Sequence, residues 1–166
     1  MRVIAATIAA LSMTAAAQAQ EPQQVATYQD WMVFTYDTAE GDRICYAVTE
    51  PKDTSPVSAN HGDVFFSVSS WKSGAASNQP SFMAGYQLQN GSEPMVRVGS
   101  DRWEMFSAER EGFIDSARQE QRLVDAMRRG REMRVSATSA RSTATNYTFS
   151  LLGISKALER VEQACS

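Results

Sequence analysis

The chain has 166 residues, with 16 Lys and Arg against 19 Asp and Glu, and 43% of its residues are apolar. That composition excludes a disordered or collagen-like chain, because enough apolar surface exists to offset the entropy of ordering one domain. A net charge of −3 also argues against a nucleic-acid partner, whose phosphates such a chain repels at long range.

Residues 1–19 carry one early cation, Arg2, then the apolar run Val3–Leu11, and end on Ala17-Gln18-Ala19. This pattern predicts a secretory signal peptide cut before Gln20, and its apolar stretch is too short to span a bilayer. No later segment is apolar enough to serve as a transmembrane anchor. Residues 20–27 read as a polar lead-in and residues 28–166 as a single domain.

From Tyr28 onward, short β-branched and aromatic runs alternate with Gly, Asn, Asp, Ser and Pro clusters, the spacing of a mainly β sandwich or barrel. Trp31–Tyr36 and Arg43–Thr49 form a predicted hairpin around Glu40-Gly41-Asp42, after which Pro51 and Pro56 should interrupt pairing. Asp63–Trp71 is the most apolar strand, with Val64, Phe66 and Val68 facing the core. Phe82–Leu88 and Met95–Val98 flank Asn90-Gly91, which suggests a further antiparallel connection, and Arg102–Phe106 reads as another strand.

The period then changes to about 3.6 residues. Ser116 and Gln119 have capping-box spacing, Leu123, Val124 and Met127 share a face, and Gly130 is expected to end the helix in a left-handed conformation. Two strands, Glu132–Thr138 and Asn146–Leu151, follow around the turn 139–145. A closing helix carries Ile154, Ala157, Leu158 and Val161 on one face, and it is too short to be stable without tertiary contact.

The only cysteines are Cys45 and Cys165. An even count in an exported chain is most simply one disulfide. The rivals, a metal pair or a catalytic thiol, lack a second ligand or base at suitable spacing.

No motif announces catalysis. His61, the single histidine, lies in a predicted loop with Asp63 as a weak candidate partner, and a solvated loop histidine is the plainer reading. Ser69–Gly74 mimics Ser-x-x-Lys and Lys-Ser-Gly, but one Lys72 at a strand end would have to serve both motifs. Glu104, Glu109 and Glu111 offer carboxylates that are more simply solvated. Of Trp31, Trp71 and Trp103, alternation places at least two towards the core. Neither a metal nor a cofactor is expected.

Charge is unevenly spread. Residues 118–134 hold six arginines against three acids, and Arg128, Arg129, Arg131 and Arg134 crowd a helix end and the next strand. Guanidinium forks suit phosphate, sulfate or carboxylate, so these are candidate contacts to an anionic lipid or glycan. The plainer reading has them satisfy helix carbonyls and pair with Glu132 and Asp125. Arg141, in a turn, is either a ligand contact or a brace against a nearby carboxylate.

Asp30-Trp31-x-Val33, Cys45-Tyr46-Ala47-Val48-Thr49-Glu50-Pro51, Leu123–Met127 with Gly130, Thr138-Ser139-Ala140-Arg141, and Tyr147-x-Phe149-Ser150-Leu151-x-Gly153 before Cys165 occur in this order. In these features the chain resembles the invasion-associated locus B proteins, small secreted proteins of Gram-negative bacteria. The resemblance implies an immunoglobulin-like antiparallel β-sandwich with two short helices, exported to the periplasm or outer membrane. It supplies no catalytic residues. Members often carry a further Cys where this chain has Phe34-Thr35-Tyr36.

The leading expectation is therefore a non-enzymatic interaction module for an envelope or host-surface component, as a monomer or weak homo-oligomer. The alternatives are a periplasmic hydrolase or enzyme inhibitor with a site near His61, and a self-associating structural envelope protein.

Overall fold

In the computed structural model, which describes residues 21–166, the first hairpin shows how sequence alternation becomes two unlike sheet faces. β2 (Trp31–Asp37) and β3 (Arg43–Thr49) pair antiparallel, so that Val33 meets Ala47 on one face while Phe34 meets Tyr46 on the other. Val33 and Ala47 are fully buried, whereas Phe34 and Tyr46 reach solvent. The signal peptide expected over residues 1–19 lies outside the described residues.

β5 (Phe65–Trp71) and β6 (Gln79–Met83) extend this sheet from β3, β10 (Glu111–Phe113) and β9 (Phe106–Ala108) complete one side and β1 (Gln23–Tyr28) the other, in the order β1-β2-β3-β5-β6-β10-β9. The edge strand β1 corrects the expected polar lead-in over residues 20–27. Its polar composition conceals it, because an edge strand needs only a few apolar contacts, here from Val25, Ala26 and Tyr28.

A second sheet has the order β4-β12-β11-β7-β8, from β4 (Asp53–Ser55), β12 (Ala144–Ser150), β11 (Glu132–Thr138), β7 (Met95–Val98) and β8 (Asp101–Glu104). Phe66 meets Phe149 at 5.9 Å between ring centroids and Phe82 meets Tyr147 at 5.5 Å, which locates the core between the sheets. Every pairing is antiparallel, and the fold is the expected mainly β, immunoglobulin-like sandwich with two helices, one of them C-terminal.

Two connections differ from expectation. Phe82–Leu88 and Met95–Val98 do not pair across Asn90-Gly91, because β6 and β7 belong to different sheets. The tight hairpin is instead β7–β8, with Val98 opposite Asp101 and a two-residue Gly99-Ser100 turn that uses the positive φ of Gly99. The strand expected over Arg102–Phe106 divides at the buried Met105, with β8 in the five-stranded sheet and β9 in the seven-stranded one. The short pairing of β4 with β12 fits between Pro51 and Pro56.

α1 (Ala117–Arg129) begins as expected, with the Ser116 hydroxyl accepting from the Gln119 amide at 3.3 Å. Gly130 ends it for a different reason from the one expected. Its φ is −81°, so no left-handed residue is required, but an added Cβ would lie 2.7 Å from both Leu151 Cδ1 and Val98 Cγ1. A side chain there would force Leu151 and Val98 to shift in a close-packed contact.

α2 (Ile154–Cys165) has no side-chain cap and no basic residue in its last turn, so little local chemistry stabilises it. It buries Ile154, Ala157, Leu158 and Val161 against β1, β2, β3 and β5. The Cys45–Cys165 disulfide fastens its end to β3, with 5.9 Å between the Cα atoms. Gly153, at φ +96°, admits the close approach of the Tyr28 carbonyl.

Cys165→Ser should lower stability by up to about 5 kcal/mol, the chain entropy of freeing a loop this long. Leu158→Ala should cost about 2–5 kcal/mol through the cavity it leaves. Urea unfolding checks both, and unchanged midpoints would show that α2 does not hold the fold.

Candidate functional site

The register of the five-stranded sheet assembles a row of cations that no single segment contains. On its outer face Arg134 of β11 stands opposite Arg97 of β7, and Arg97 opposite Arg102 of β8. Directly opposed residues on adjacent strands sit with Cβ atoms about 5 Å apart, and like charges in that relation destabilise a sheet. Arg134 donates from Nε to Glu132 Oε1 at 2.8 Å. Among the described residues, Arg97 and Arg102 form no ion pair.

The tight β7–β8 turn and the end of α1 extend the row into an open groove of about 650 Å³. Arg97, Arg129, Arg131 and Arg134 line it, with Asp101 and Glu132 as its acids. The Gly130 contact presses the α1 terminus against Val98 and Leu151, which sets Arg129 and Arg131 beside the strand arginines. Guanidinium groups gathered along one groove suit a ligand with several anionic groups, each taken by a fork of N–H donors.

The groove thus unites three expected residues, Arg129, Arg131 and Arg134, and adds Arg97, with Arg102 beside it on the sheet. Arg128 is half-buried outside the groove, and its carbonyl accepts from the Ser155 hydroxyl at 3.4 Å. The expected pairing of an arginine with Asp125 is replaced by Gln121, whose Nε2 donates to Asp125 at 2.9 Å. Arg97 and Arg102 escaped notice because their relation to Arg134 depends on pairing between strands distant in sequence. The available signal was Gly99-Ser100 between two β-like runs.

His61 and Arg141 belong to a different place. His61 Nε2 lies 2.9 Å from the Pro56 carbonyl and Nδ1 2.8 Å from the Tyr147 hydroxyl, so the ring is anchored rather than freely solvated. Tyr147 donates to Tyr86 at 3.0 Å, Tyr86 meets Thr145 Oγ1 at 2.5 Å, and Thr145 donates to the Ala137 carbonyl at 3.1 Å. Burial first, then the Tyr86 hydrogen bond, pushes ionisation of the Tyr147 hydroxyl well above its ordinary range.

Beside this chain is a cavity of about 480 Å³ lined by Asn60, Tyr86, Gln87, Ser139, Arg141 and Thr145, among others. Arg141 is exposed there and, among the described residues, braces no carboxylate. Asp63 faces a different cavity with Glu50, Thr54 and Phe65, and no hydrogen bond among the described residues joins it to His61. Glu104 and Glu111 are divided between the two sheets. Trp31 and Trp103 are buried, while Trp71 is partly exposed at the end of β5. Among the described residues, no group of three or more His, Cys, Asp or Glu could hold a metal ion, and no helix is long and apolar enough to cross a membrane.

The Asp30-Trp31 motif has a structural role. The Trp31 indole donates to the Ser150 carbonyl at 3.0 Å, and Thr49 Oγ1 donates to the Asp30 carbonyl at 2.7 Å. The Asp30 carboxylate pairs with Lys52 at 2.6 Å, and the Lys52 and Ser150 hydrogen bonds hold it below the usual carboxylate range.

The profile of the invasion associated locus B (IalB) protein family matches residues 31–162, from the start of β2 into α2. Among solved structures, invasion associated protein B from Bartonella henselae superposes with a TM-score of 0.57 at 16% identity, covering 87% of this chain and 98% of that one. At that identity the likeness concerns the fold. No curated protein matches the sequence.

The Tyr147 shift has a sign that can be measured. An unfolded chain releases this proton near pH 10, whereas the folded protein retains it, so its contribution is complete below pH 10 and declines above. Tyr147→Phe should flatten the alkaline fall in unfolding free energy by about one proton's worth of slope. An unaltered slope would mean that Tyr147 ionises freely in the folded state.

Proposed function

The chain belongs to the invasion associated locus B family, and from that membership we propose that it is an exported, envelope-associated binding protein acting through the arginine row of its five-stranded sheet. Its ligand is an envelope or host-surface component bearing closely spaced anionic groups, of the chemistry of an anionic lipid headgroup or acidic glycan. Its work is recognition rather than catalysis. The disulfide suits an oxidising compartment, the periplasm or the outer-membrane surface.

One observation carries this reading: Arg134, Arg97 and Arg102 stand side by side on adjacent strands with Glu132 as the one paired acid. Such a row costs stability in the free protein, and an anion laid across it removes the repulsion. The hydrolase or inhibitor reading near His61 has weaker support, since both ring nitrogens already serve the Pro56 carbonyl and Tyr147.

Co-sedimentation with phosphatidylcholine vesicles, with and without phosphatidylglycerol, tests this at low and moderate salt, and a soluble acidic polysaccharide provides the glycan arm. The protein should bind an anionic probe and release it as salt rises. Arg97→Ala with Arg134→Ala should weaken binding about thirtyfold, from the usual contribution of each basic residue at an anionic surface. Binding indifferent to these changes, or none to either probe, would refute the assignment.

A further inference from the structure

The seven-stranded sheet also has an outer face, and its composition is unusual for a surface exposed to water. Register places Phe34 beside Tyr46, their rings stacked at 5.5 Å, and Ile44 beside Trp71. Further along the same face Phe65 stands opposite Met83, and Phe113 opposite Phe106 with rings 5.7 Å apart. None of these side chains is buried, and Met83 and Phe106 are 41% and 47% exposed. Between the two aromatic groups lie the small side chains of Ser67 and Ser81, which hydrogen bond at 2.9 Å.

We propose that this face is the self-association surface of the protein, covered in solution by the same face of a second copy. Extent, composition and charge support this occupant. Strands of three to seven residues, at about 3.3 Å per residue and about 4.8 Å spacing, give roughly 600 Å² per copy, or about 1,200 Å² in a dimer, at the lower end of specific interfaces. Aromatic and Met side chains with polar ends are the composition of an interface core and rim. The small serines of one copy leave room for the aromatic side chains of the other, and a two-fold axis makes the two contacts equivalent.

Charge disfavours an anionic membrane as the occupant. At the ends of the face Glu40, Asp42 and Glu111 outnumber Lys72, whereas docking on anionic lipid calls for a basic rim; Asp37 and Arg43 pair with each other on the opposite face, beside α2. This inference does not require the arginine row to bind anything.

Two measurements on the full mature chain test it. In sedimentation equilibrium the weight-average mass should rise towards twice the monomer over micromolar concentrations, and Met83→Lys with Phe106→Asp should remain monomeric. Both substitutions fall on exposed side chains, so folding should be spared. Should that variant fail to fold, the wild-type chain still provides a readout: Trp31 and Trp103 are buried, so acrylamide quenching reports Trp71, and it should fall as concentration rises. A constant monomer mass with constant quenching would overturn the proposal. So would dimerisation unaffected in a folded variant, or shielding of Trp71 by zwitterionic vesicles alone.

Discussion

The fold depends on a mismatch in width. Seven strands face five, so the smaller sheet leaves part of the inner surface of the larger one uncovered. α2 fills that space over β1, β2, β3 and β5, and without it Trp31, Val33, Cys45 and Ala47 would lose part of their cover. A twelve-residue helix without a side-chain cap is a weak element by itself. The disulfide makes it part of the sheet, and the Trp31 indole, bonded to the end of β12, ties the two sheets at the same region.

This arrangement separates chemistry by face. With both inner surfaces committed to the core, the two outer surfaces point away from each other and carry opposite characters. The five-stranded sheet presents Arg97, Arg102, Arg134 and polar neighbours, while the seven-stranded sheet presents Phe34, Tyr46, Met83 and Phe106. A dimer joined through the apolar faces would therefore display an arginine row on each of its far sides. Such a particle could hold two anionic surfaces or chains at once, and each linked site would raise the effective concentration of the other.

Much of the fold was legible because local patterns suffice for it. Period-two alternation revealed the buried face of β5, period 3.6 revealed Ile154, Ala157, Leu158 and Val161, and the cysteine count implied the bridge that the structure contains. Failures occurred where the deciding contact is long-range. Asn90-Gly91 has hairpin chemistry, yet the strands beside it join different sheets. Gly130 has the place of a left-handed cap, yet Val98 and Leu151 determine it. The candidate site was half legible: the arginines of α1 and β11 are close in sequence, but Arg97 and Arg102 join them only through strand register.

The most direct measurement is arginine side-chain NMR, following each Nε–Hε signal while a short anionic probe such as inorganic triphosphate is added at low salt. Arg97, Arg102 and Arg134 should shift together at the lowest concentrations, with Arg129 and Arg131 following and Arg141 unaffected. Uniform small shifts of all arginines, or an early shift of Arg141 alone, would contradict an anion site built by the strand register.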